Sequence, residues 1–154
     1  MKKVILAFTL ILALSMMLTS CSSTKEAISP ADFVSAAAKQ SYVTEDLTHT
    51  FDTPLVENVT IAVPASRSYQ IEFFTLTDEA TASQLYTENK AALESAQGSN
   101  ASSSERSGKN YARYIQKSGG MYSAVYYIGN TMLYASTDLA HEDAVQAFFS
   151  SVGY

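Results

Sequence analysis

Two pairs of adjacent residues, Gly119-Gly120 and Gly129-Asn130, constrain this chain more than anything else in it. They separate three runs rich in Tyr, Val and Ile: Tyr111–Ser118, Met121–Ile128 and Thr131–Ser136. A two-residue link reverses a strand only when its backbone enters positive φ, which glycine does without steric cost. Runs this short, joined this tightly, predict a three-stranded antiparallel meander. In the first run Tyr111, Arg113 and Ile115 alternate with Ala112, Tyr114 and Gln116, the period of a strand. The middle run, MYSAVYYI, is apolar on both faces, which places it inside the sheet.

The rest of the chain adds helices and a second group of strands. Ser29 is a good N-cap, Pro30 suits the first helical position, and Asp32 sits three residues after the cap. A helix over Pro30 to about Gln40 follows, with Phe33, Ala36 and Ala37 on one face. Tyr42–Thr48 alternates weakly and reads as a marginal strand. Glu57–Val63 and Ser68–Thr75 read as a hairpin about a turn at Pro64–Arg67. A long helix spans about Asp78 to Gln97, capped by Thr77 or Asp78, with Gly98 placed to end it. Residues 98–110 (GSNASSSERSGKN) contain a single apolar residue, Ala101, and are expected to form a mobile surface loop. A last helix, starting near Thr137 or Asp138, buries Val145, Phe148, Phe149 and Val152. The fold class is therefore α+β: an antiparallel sheet of about five to six strands with three helices packed on it, in the order α-β(β)β-α-βββ-α. That order resembles PsbP-type folds at the level of elements alone.

The N-terminus reads as an address. Met1-Lys2-Lys3 is basic, and Val4–Leu18 is almost wholly apolar but short of the ~20 residues that a membrane span needs. Leu18-Thr19-Ser20-Cys21 resembles the lipobox of bacterial lipoproteins, and Cys21 is the only cysteine. The resemblance implies a signal peptide over 1–20, a diacylglyceryl group (and hence acyl chains such as palmitate) on Cys21, and localisation at the cell membrane on its extracytoplasmic side. The other readings are an uncleaved anchor or an ordinary secretory signal with Cys21 incidental. Residues 21–28 would be the lipidated Cys and a flexible tether, and 29–154 a single domain. Without residues 1–20 the chain loses Lys2 and Lys3, leaving eight basic against fifteen acidic residues, a net −7. Overall the chain also resembles small uncharacterised lipoproteins of Gram-positive anaerobes, through Ser29-Pro30-Ala31-Asp32-Phe33, Glu72-Phe73-Phe74, Gly129-Asn130-Thr131 and Gly153-Tyr154. That resemblance implies no activity and no catalytic residues.

Chemistry-bearing motifs are absent from the sequence. One Cys excludes an internal disulfide and a multi-thiolate zinc site. His49 and His141 are the only imidazoles and form no metal-ligating pair, so no metal and no cofactor is expected. The net negative charge argues against nucleic acid as a partner. No GxSxG elbow and no phosphate-binding glycine loop occurs. The carboxylate pairs Asp78-Glu79 and Glu142-Asp143 sit where they complement a helix dipole; Glu45-Asp46, Asp52 and Glu57 are loop or strand acids. No catalytic residue is identified. The candidate binding surface is the row Tyr111, Arg113, Tyr114, Tyr122, Tyr126 and Tyr127, with Arg113 as its anchor. The competing reading has helices covering that face, or cross-strand Tyr pairs merely stabilising the sheet. The sequence thus points to a non-catalytic binding or envelope-accessory domain, held to the membrane through Cys21 and meeting an envelope protein or peptide. The alternative is a hydrolase whose acids meet only in three dimensions.

Overall fold

The computed structural model describes residues 23–154. The expected signal peptide and the lipid site Cys21 lie outside the described residues. Helix α1 spans Pro30–Lys39, and strands β1 (Val43–Asp46), β2 (Val56–Val63) and β3 (Ile71–Leu76) follow, with a 3-10 turn at Thr48–Thr50. Helix α2 spans Glu79–Ser95. Strands β4 (Ser102–Ser107), β5 (Tyr111–Ser118), β6 (Met121–Ile128) and β7 (Thr131–Asp138) come next, then a 3-10 turn at Leu139–His141 and helix α3 (Glu142–Ser151). All strand pairs are antiparallel in one seven-stranded sheet, ordered β1-β2-β3-β7-β6-β5-β4.

Local chemistry explains the element starts. Ser29 Oγ accepts the Asp32 N–H at 3.1 Å, and the Asp32 carboxylate takes the Ser29 hydroxyl and N–H in return. This reciprocal cap satisfies donors that the first helical turn would leave orphaned. Asp78 caps α2 by accepting the Thr81 N–H at 2.7 Å. The meander closes as expected: Gly119 and Gly120 both have positive φ, and Gly129 does so at the second link, so Ser118 opposes Met121 and Ile128 opposes Thr131.

Three expectations need correction. The sheet has seven strands rather than five to six, because the 98–110 segment is not a loop throughout. Ser102–Ser107 pairs with Lys117–Ala112 residue by residue as the edge strand β4. Every residue of β4 is exposed, so no hydrophobic alternation marks it; its ladder is made by backbone groups that any sequence carries. Strand β7 also runs two residues further than expected, and a 3-10 turn delays α3 to Glu142. Finally, the tether is fixed from Ser23 onward. The Lys109 N–H donates to the Ser23 carbonyl at 3.1 Å, and Asn110 bonds both the N–H and the carbonyl of Lys25. Ala27 and Ile28 pack on the core. Gly108 permits this approach, since a Cβ there would lie 2.6 Å from the Ser23 carbonyl oxygen and against the Tyr111 ring.

Helices cover both sheet faces, which is why β6 is buried at six of eight positions. On the first face α1 and α3 supply Phe33, Ala37, Val145, Phe148 and Phe149 over Ile71, Phe73, Tyr122, Tyr126 and Leu133. Phe33 stacks on Phe73 at 4.8 Å and meets Phe148 edge-on at 5.5 Å. Burying each such ring contributes about 1.5–3 kcal/mol. On the second face α2 alone supplies Ala82 and Tyr86, over Val59, Phe74, Leu76, Tyr114, Val125 and Met132.

Candidate functional site

One helix cannot cover one face of seven strands. Helix α2 lies mainly over β5, β6 and β7 and reaches only the near part of β3, so the far side of that face, toward β1 and the outer ends of β2 and β3, carries no helix. The neighbouring loop is built to stand beside this gap. The Asp46 carboxylate accepts the Thr48 N–H at 2.8 Å, Thr48 Oγ1 accepts the Val59 N–H at 2.9 Å, and the Thr77 N–H donates to the Leu55 carbonyl at 3.2 Å. Pinned at both ends, the loop projects Phe51 and Leu55, which are 40% and 48% exposed, far more than an apolar side chain needs to be. Phe51 meets Phe74 edge-on at 5.8 Å.

Between this loop and α2 lies a cleft of about 410 Å³, with Phe51, Leu55, Phe74, Leu85 and Met132 around it and Glu72, Asn89 and Tyr134 as its polar groups. A second, more polar hollow of about 580 Å³ adjoins it, lined among others by Glu45, Ile61, Arg67, Glu72, Tyr134 and Ser136. Glu72 and Tyr134 belong to both, so the two form one groove, apolar at one end and charged at the other. The sheet register places Glu45, Ile61, Glu72 and Tyr134 in a single row across β1, β2, β3 and β7. Two carboxylates therefore flank Ile61, with one strand between them and backbones about 9–10 Å apart. The Glu72 carboxylate accepts the Gln70 amide at 2.8 Å. Burial pushes the Tyr134 hydroxyl above its ordinary pKa, the Ser136 hydroxyl opposes that shift, and Glu72 adds to it. Tyr134 is therefore a neutral hydrogen-bonding group at any physiological pH. Neither histidine lines the groove. Among the described residues no three His, Cys, Asp or Glu side chains gather as a metal site.

The sequence-derived row does not form one surface. Tyr111, Arg113, Tyr122 and Tyr126 face α1 and α3, whereas Tyr114 and Tyr127 face α2. Tyr114, Tyr122 and Tyr126 are almost wholly buried. Tyr114 hydrogen-bonds Gln116, and Tyr127 packs on Tyr86. Over β5 and β6, helices on both sheet faces leave no outer face for such a row to occupy. Tyr111, Arg113, Tyr126 and Tyr127 do come together at a small cavity of about 150 Å³, which Lys25, Arg106 and Tyr154 also line. His49 sits exposed in the 3-10 turn after β1, and His141 lies before α3 with its ring 4.9 Å from that of Tyr69. The groove residues went unnoticed because they come from a loop, four strands and a helix. The one sequence sign was an acid at position 72 beside Phe73 and Phe74, where a strand covered on both faces would carry none.

No family model matches the chain, and no curated protein or solved structure matches it significantly. Among the described residues no helix is long and apolar enough to cross a membrane.

Proposed function

We propose that this protein is a lipid-anchored extracytoplasmic binding domain that takes an extended peptide segment of an envelope protein into the half-covered face of its sheet. One observation carries the reading: the groove that α2 leaves open, with an apolar cleft at one end and the Glu45–Glu72 row at the other. Its cleft falls within the ~300–1,000 Å³ typical of ligand sites, with few polar groups among apolar ones. The chemistry favours a peptide whose apolar or aromatic side chain enters the cleft while a neighbouring basic side chain meets Glu45 and Glu72. The membrane anchor on Cys21 rests on Leu18-Thr19-Ser20-Cys21 and the apolar run before it. Under this reading Cys21→Ala expressed in the native host abolishes incorporation of labelled lipid; retained labelling refutes the anchor.

The groove is tested with short peptides that vary one apolar and one charged position. Aromatic-plus-lysine peptides are expected to bind best, and Phe51→Ala is expected to weaken them about tenfold. A preference for acidic peptides, or no effect of Phe51→Ala, refutes the binding reading. The two carboxylates facing one hollow support a second reading, a hydrolase using Glu45 and Glu72. Glu45 is exposed, however, and no neighbour excludes water from the pair, which weakens the case for a tuned general acid. Hydrolysis of a bound substrate that disappears in both Glu45→Gln and Glu72→Gln would favour that second reading.

A further inference from the structure

We infer that the small cavity on the opposite face from the groove, lined by Lys25, Arg106, Arg113 and Tyr111, holds the phosphate headgroup of an anionic phospholipid in the membrane that anchors the protein; this inference rests on the Cys21 anchor proposed above.

Charge placement comes first. The chain from Cys21 onward has eight basic residues and a net −7, yet Lys25, Arg106 and Arg113 line one cavity of about 150 Å³, and Lys109 lies at the same corner of the sheet. Arg106 and Arg113 are direct cross-strand partners on β4 and β5. Like charges placed opposite one another in a ladder destabilise it. A fold without a use for the pair has an easy remedy, since β4 is exposed and tolerates any polar residue at position 106. The ion pairs among the described residues are Lys90–Glu94, Lys90–Glu105 and Lys117–Glu142, so no carboxylate there neutralises Lys25, Arg106 or Arg113. Glu26, next in the chain to Lys25, is exposed. The rest of the lining suits a phosphate ester. The Lys25 ammonium donates to the Gly153 carbonyl at 2.9 Å and stands 5.4 Å from the centre of the Tyr111 ring, and Arg113 stands 6.0 Å from that of Tyr126, so both cations are held at the cavity. Arginine forks and a lysine are the side chains that bind phosphate oxygens most effectively.

Position supplies the second, independent argument. The chain is fixed at Ser23, whose carbonyl receives the Lys109 N–H and whose hydroxyl meets the Tyr111 hydroxyl at 3.0 Å. Cys21 lies two residues earlier, so its backbone stands at most about 7 Å from that of Ser23. That is less than a Debye length at physiological ionic strength, about 8 Å, within which an anionic bilayer attracts cations. The anchored protein must therefore bring this corner, rather than the groove, to the headgroups. A net-acidic protein would otherwise be repelled from such a surface, and the cavity supplies the one cationic contact where the anchor forces approach.

The test uses the full chain purified in neutral detergent and titrated with dihexanoyl phosphatidylglycerol, dihexanoyl phosphatidylcholine and inorganic phosphate, read by tyrosine fluorescence. The chain has no Trp, and Tyr111, Tyr126 and Tyr154 line the cavity. Phosphatidylglycerol is expected to bind at least tenfold more tightly than either other ligand. Arg106→Gln and Arg113→Gln should each weaken it about fivefold, while Lys39→Gln, which removes the same charge from α1, should leave it unchanged. Arg106 is exposed, so its variant keeps the fold even if Arg113→Gln does not. Equal binding of the two lipids, inorganic phosphate binding as tightly as phosphatidylglycerol, or an equal loss in Lys39→Gln overturns the proposal. Mass analysis of the N-terminal residue reports the anchor separately: an unlipidated N-terminus with intact lipid selectivity sinks the anchor alone, and a lipidated one without selectivity sinks the cavity alone.

Discussion

Removing one carboxylate from the exposed edge strand should cost more than any surface argument allows. Glu105 is the only residue of β4 that reaches back under α2, where it accepts the Tyr86 hydroxyl at 2.8 Å and the Lys90 ammonium at 2.7 Å. The Lys90 ion pair is half exposed, with side-chain exposures of 25% and 43%, so it contributes about 0–1 kcal/mol. Tyr86 differs, because only 5% of it is exposed. Glu105→Ala strands its hydroxyl, and an unsatisfied buried hydroxyl costs about 1–3 kcal/mol. The expected total is about 2 kcal/mol. Unfolding a domain of this size carries an entropy of about 0.3 kcal/mol per kelvin, which makes that a fall in Tm of about 7 °C. Tyr86→Phe alone should cost about 1 kcal/mol. The double variant should cost less than Glu105→Ala alone, because the stranded hydroxyl is then gone. Thermal melts of the four proteins settle the cycle. If the two costs add, or if Glu105→Ala costs under about 0.5 kcal/mol, Glu105 does not hold α2 to the sheet edge.

Acid should unfold the domain through the same groups. Asp32 and Asp78 are held below the usual carboxylate range chiefly by hydrogen bonds at their helix caps, and Glu105 by Lys90 above all. Each binds a proton more weakly folded than unfolded, so its stabilisation is complete above the ordinary carboxylate pKa and is lost as pH falls through the lowered value. Tm should therefore decline from pH 6 to pH 3, and a flat profile contradicts the assignment. Gly108→Ala should free the segment before α1, seen as faster amide exchange over residues 23–28, because the added Cβ collides with Ser23 and Tyr111; unchanged exchange means that the segment is held elsewhere. Thr137→Val should stabilise the fold by about 1 kcal/mol, since the Thr137 hydroxyl is buried without a partner among the described residues and valine suits a strand equally well. A loss of stability in the melt would reveal a bond that this hydroxyl makes.

The elements visible in the sequence were those whose signal lies in side chains or in special backbone angles. Ser29-Pro30 and Asp78 announced their helices because capping needs particular side chains. The two glycine links announced the meander because the turns need positive φ. Strand β4 gave no sign because its pairing is a backbone matter, and SSSERS carries nothing that a loop would not. The Tyr row failed for a related reason. Alternation assigns residues to faces correctly, and Tyr111 and Tyr114 do point oppositely, but it does not say how many faces are covered. That depends on where α1, α2 and α3 return after the chain has turned several times, which no local window contains.

The same reasoning shows why net charge says nothing of where the charges gather on this molecule. A sum of −7 predicts indifference or repulsion toward an anionic surface, and it treats Arg106 and Arg113 as two members of a scattered set. They lie seven residues apart in sequence, with a turn between them at Gly108–Asn110, and only the β4–β5 register makes them neighbours. The tether then carries Lys25 to them through Asn110, a contact 85 residues long in sequence. Each step follows from backbone pairing rather than from any motif. A field is felt over about a Debye length, so under the proposed anchor a membrane would meet the cluster of Lys25, Arg106 and Arg113 rather than the net charge, while the groove with Glu45 and Glu72 opens on the other sheet face. One unremarkable edge strand makes this placement, by turning Arg106 toward Arg113 and Glu105 toward α2.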